Sequence, residues 1–83
     1  MPVFNLVIEI LRYLSKNFED LQECFYKRRE YLDKALSNIN KDNLIDSINS
    51  IDDIFFDCFK LQDHKKAKAY IYIVCNNYLQ QAT

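Results

Sequence analysis

Eighty-three residues, a formal net charge of −1 and no glycine leave few fold classes open. A chain of this length buries roughly 60% of the surface its unfolded form exposes, enough for one core and one domain over residues 1–83. Hydrophobic residues at 49% and charged residues at 28% exclude a disordered chain. The missing glycine, of which average usage near 7% would supply about six, excludes phosphate-cradling loops and most tight hairpins. The composition predicts an all-α protein.

The first 39 residues carry a seven-residue rhythm. Phe4, Leu11, Phe18, Phe25, Leu32 and Ile39 form one ladder, and Val7, Leu14, Leu21, Arg28 and Ala35 form a second offset by three. These are a and d positions with no helix breaker between them, which predicts one long helix over about residues 3–37. At ~1.5 Å per residue it would be roughly 50 Å long. Ser15-Lys16-Asn17 is its weak point: Asn17 is a candidate cap for a separate helix, with Asp20 at the third position.

The first turns hold more apolar surface than one seam needs. Val3, Leu6, Ile10 and Tyr13, with Ile8 beside them, form a second stripe, leaving Asn5, Glu9, Arg12 and Lys16 as the polar face. A helix apolar nearly all round is covered on several sides. Either it is the central helix of the bundle, or the second stripe is a contact for a partner protein or a second copy. Residues 3–14 are too few to span a bilayer, which takes about 20 apolar residues, and the basic face is thin for membrane-surface binding.

Residues 37–43, rich in serine, asparagine and aspartate, make the clearest connector. A second helix is expected from about Asp42 to Leu61, with Leu44, Ile48, Ile51, Phe55 and Cys58 inward and Ile45, Ile54 and Phe59 widening the stripe. Asp46, Ser50, Asp53 and Asp57 fall on its opposite face. Asp63 then caps a third helix from about His64 to Gln80, with Ala67, Ile71, Val74, Tyr78 and Leu79 inward. Tyr70-Ile71-Tyr72-Ile73-Val74 has the composition of a strand, but no second strand exists to pair with it. The expected architecture is a small antiparallel bundle of three helices, or four if the first breaks at residues 15–17.

Chemistry-bearing residues are sparse. Cys24, Cys58 and Cys75 are odd in number and widely spaced, and no signal peptide precedes them, which predicts three free thiols in a cytoplasmic protein. No pair of Cys or His has the close spacing of a structural zinc site, so neither metal nor cofactor is expected. His64 is the single histidine and is expected to be exposed at a helix start, away from the inward thiols. No catalytic centre is therefore predicted. Lys27-Arg28-Arg29 and the group Lys65, Lys66 and Lys68 are the candidate nucleic-acid contacts. They lie in a domain of pI ≈ 5.7, whereas a nucleic-acid footprint normally makes its domain basic. Arg28 at a d position is expected to pair with an acid such as Asp52.

Six tyrosines and six phenylalanines point instead toward protein recognition. Tyr26, Tyr31, Tyr70 and Tyr72 do not all fit the core ladders. The predicted partner-binding set is Val3, Leu6, Ile10, Tyr13, Tyr26 and Tyr31. The bias toward isoleucine, asparagine, lysine and tyrosine over alanine suits AT-rich coding, as in low-GC bacteria and their phages. Small helical bundles of this size include inhibitors, immunity proteins, antitoxins and anti-defence proteins, a likeness of fold alone. The expected function is non-enzymatic binding and blocking of another protein. A helical nucleic-acid-binding regulator using the two basic groups, and a purely structural homodimeric subunit, are the alternatives.

Overall fold

Side chains that compete for backbone hydrogen bonds decide where this chain turns. In the computed structural model, which describes residues 3–59 and 61–81, five α-helices form: α1 (Val3–Asn17), α2 (Gln22–Lys27), α3 (Arg29–Leu36), α4 (Leu44–Phe55) and α5 (Leu61–Gln81). Two 3₁₀ turns, Glu19–Leu21 and Phe56–Cys58, join them, and no strand occurs among the described residues.

The long first helix of the sequence reading is not one helix. Asn17 donates its side-chain Nδ2 to the carbonyl of Tyr13 at 2.9 Å, and Phe18 leaves helical geometry at φ −137° and ψ 62°. The chain then folds back, so that α1 packs against α2 and α3. The longest dimension of the molecule is 36 Å, too short for the expected rod of about 50 Å. The heptad ladder survives because it marks inward residues on both limbs: Leu11, Phe25 and Leu32 are fully buried. Phe18 and Leu21, at the bend, are only half-buried.

The connector between α3 and α4 reverses the chain without glycine or a positive φ. Asn40 Oδ1 accepts from the backbone N–H groups of Asp42 (2.9 Å) and Asn43 (3.0 Å), while Asn43 Oδ1 accepts from that of Asn40 at 2.7 Å. Asn43 occupies the N-cap position of α4 without a capping bond to its backbone; its Nδ2 donates to the Asn38 carbonyl at 2.9 Å, and its Oδ1 also accepts from Ser47 Oγ of α4 at 3.4 Å. Helix α4 ends at Phe55, short of Leu61, because the chain tightens into the 3₁₀ turn and then extends at Phe59 (φ −105°, ψ 149°). Helix α5 starts at Leu61, so Asp63 lies inside its first turn, favourable for the helix dipole, rather than at the cap.

Helices α1, α3, α4 and α5 close a ring, α1 on α3, α3 on α4, α4 on α5 and α5 on α1. One hydrophobic cluster fills it, from Leu6 and Ile10 on α1 to Ile51 and Phe55 on α4 and Ile71 and Cys75 on α5. Helix α1 is one member of this ring, and Leu6, Val7, Ile10, Leu11 and Leu14 of its surplus apolar residues are buried in the core. Asn5, Glu9, Arg12 and Lys16 are its exposed side.

Candidate functional site

Leu6 and Ile10, two of the predicted partner contacts, are 0% exposed. These two side chains of the second stripe are covered within the chain, where α1 meets α3 and α5, and are not an available surface. Tyr13 is half-buried and stacks on Tyr70 of α5, and the side chain of Val3 lies outside the described residues. Of the predicted set, Tyr26 and Tyr31 stand exposed.

The exposed apolar surface lies elsewhere. Ile45 and Tyr72 project from α4 and α5 at 59% and 39% exposure, with Phe56 and Ile73 also open to solvent. Ile45, Ile48, Ala69 and Tyr72 line a groove of about 370 Å³ between α4 and α5, bordered by Asn49, Lys65 and Lys68. The period of α4 placed Ile45 among the residues widening the inward stripe. In the first turn of α4 it is instead largely exposed, at the groove shared with α5. Tyr72 was recognisable as a residue outside the core ladder.

Across the same helix pair, Asp52 gathers the charges. His64 Nε2 stands 2.7 Å from Asp52 Oδ1 at ion-pair distance but without hydrogen-bond geometry, and Lys68 Nζ stands 3.8 Å from Oδ2. His64 is not the exposed residue expected of a helix start: Asp52, Phe56 and Phe59 enclose its ring.

Asp52 is thus not the partner of Arg28. Arg28 Nη1 donates to the carbonyl of Cys24 at 3.1 Å and to Cys58 Sγ at 3.1 Å, and also contacts Cys24 Sγ. Those two sulfurs are joined. Cys24 and Cys58 form a disulfide with Cα atoms 6.2 Å apart, overturning the expectation of three free thiols. Their sequence separation of 34 suggested isolation, but the bend after α1 and the early end of α4 bring α2 onto the second 3₁₀ turn. Cys75 alone is free. Burial, and secondarily the carboxylate of Glu9, push its thiol up to about 12.

The first basic cluster is dispersed. Lys27 pairs with Glu23 at 3.2 Å, Arg28 turns to the sulfurs, and Arg29 lies beside Glu30, Asp33 and Lys34. Among the described residues, no group of three or more His, Cys, Asp or Glu side chains is placed to hold a metal ion, and no helix is long and apolar enough to cross a membrane. Comparison with protein-family models, curated proteins and solved structures gives no match.

Proposed function

We propose that this chain is a non-enzymatic accessory protein of bacterial or phage origin that binds another protein and blocks it, in the manner of inhibitors, immunity proteins and antitoxins. The groove between α4 and α5 is its binding surface, in place of the N-terminal stripe. The supporting observation is the pair Ile45 and Tyr72, large apolar side chains left open across one groove beside Lys65 and Lys68. Neighbouring exposed apolar side chains with a polar rim mark contact sites. Lys65 makes no ion pair among the described residues, so the rim suits a partner segment that brings apolar side chains together with carboxylates.

A photoreactive residue at position 45, in cells carrying the gene, tests this reading. The expected result is one discrete cross-linked protein, lost when Tyr72→Asp is added while helical content is retained. A diffuse smear, or a product indifferent to Tyr72→Asp, would overturn it.

A further inference from the structure

Arg28 is half-buried, and among the described residues no carboxylate stands within ion-pair distance of it. A guanidinium does not lose its charge, and a cation drawn from water is normally matched by an anion. Here the side-chain atoms it reaches by hydrogen bonding are the two sulfurs of the bridge. A disulfide sulfur is neutral and a weak acceptor, whereas a thiolate carries a full charge. The charge arrangement therefore complements the opened bridge better than the closed one.

We propose that Cys24–Cys58 is a reversible thiol–disulfide exchange site for a dithiol reductant, with Arg28 holding the Cys58 sulfur as it leaves. Cys24 is the less buried residue of the pair, half-buried against 7% exposure for Cys58, and the attack is assigned to it on that ground. A thiolate of the reductant bonds to Cys24 Sγ, the bridge breaks, and its electron pair goes to Cys58 Sγ, which departs as a thiolate against Arg28. The second thiol of the reductant gives its proton to water and attacks the mixed disulfide. Cys24 is expelled as a thiolate and takes a proton from water. Two electrons pass to the protein, and the reductant leaves as its own disulfide.

The segments need not separate when the bridge opens. Phe25 meets Phe59 at 5.3 Å and Phe55 at 5.7 Å between ring centroids, and Phe18 meets Phe59 at 5.1 Å. These contacts hold α2 against the end of α4 without the covalent link, so the sulfurs stay in reach of each other for reclosure. The proposal is independent of the groove between α4 and α5.

Dithiothreitol acting on the full chain is the test, with alkylation and intact mass as the readout. The wild-type bridge should open with helical content preserved and reclose when the oxidised form of the same reagent is supplied. Arg28→Met should open roughly tenfold more slowly, the scale of one charge-assisted hydrogen bond, and Arg28→Lys should recover most of the rate. A second measurement needs no variant: glutathione quenched early should be found on Cys24. Equal opening rates in wild type and Arg28→Met, glutathione on Cys58 instead, or loss of helicity on opening would each overturn the proposal.

Discussion

Tyr13 of α1 and Tyr70 of α5 stack face to face, ring centroids 3.3 Å apart and planes within 7° of parallel. This contact joins the first and last helices of the ring. Tyr13→Ala and Tyr70→Ala, singly and together, should show a coupling of about 1 kcal/mol beyond the loss of buried area. Urea unfolding of the four proteins measures it, and additive losses would show that the rings are merely neighbours.

Phe25, with no exposure, packs against the rings of Phe18, Phe55 and Phe59. Phe25→Ala should cost about 3–5 kcal/mol, a large share of what so small a domain possesses. Phe18→Ala should cost less, because Phe18 is already half open to solvent. Thermal melts that rank the two in the other order would contradict this packing.

Ile10→Asp and Ile45→Asp should behave oppositely. At Ile10 the charge enters a site with 0% exposure and should unfold the chain, since an unpaired buried charge is very costly. Position 45 is 59% exposed, so a charge there should leave the helices intact, within about 0.5 kcal/mol, and abolish partner capture. Circular dichroism separates the two. Sedimentation of the wild type adds a check on self-association: a dimer dispersed by Ile45→Asp would make the partner a second copy.

The bridge closes a loop of sequence separation 34, for which chain entropy gives about 3–4 kcal/mol. Reduction should lower stability by that order while far-UV ellipticity holds at 25 °C. Unchanged urea midpoints with and without reductant would mean that Cys24 and Cys58 are unlinked in solution.

Alkali should weaken the fold through Cys75. Its folded-state thiol holds a proton up to about 12, against an ordinary value of 9.0. The folded protein therefore keeps a proton that the unfolded chain releases, and the contribution is complete below pH 9 and lost as pH rises toward 12. Tyr70, raised above 10.0 by burial and then by Glu9 and Tyr13, acts in the same direction. Melting temperature followed from pH 8 to 11 should fall, and less steeply in Cys75→Ala. An identical slope in that variant would remove the thiol from the account.

The inward faces were legible in the sequence because helical spacing reports burial directly: Leu11, Phe25, Leu32, Ile48 and Ile71 all lie in the core. Continuity was not legible. A heptad ladder reads the same along one straight helix as along two limbs facing one core, and the bend comes where Phe18 leaves helical geometry. The burial of Leu6 and Ile10, two of the six predicted contacts, has a related reason. Periodicity shows that Leu6 and Ile10 need cover but not that α3 and α5 of the same chain supply it. The bridge escaped notice because sequence distance between Cys24 and Cys58 carries no information about a fold-back.

The covalent loop encloses α3 and α4 but neither terminal helix. Force applied to the two ends of the chain would therefore peel α1 and α5 apart first, from the chain ends inward toward the Tyr13–Tyr70 stack. The tether between positions 24 and 58 would stay shut, withholding about 110 Å of contour at roughly 3.4 Å per residue, net of the 6.2 Å the bridge itself spans. A chain stretched under reducing conditions would lengthen by that additional amount, so its reach under load would be set by the redox state of one pair of sulfurs.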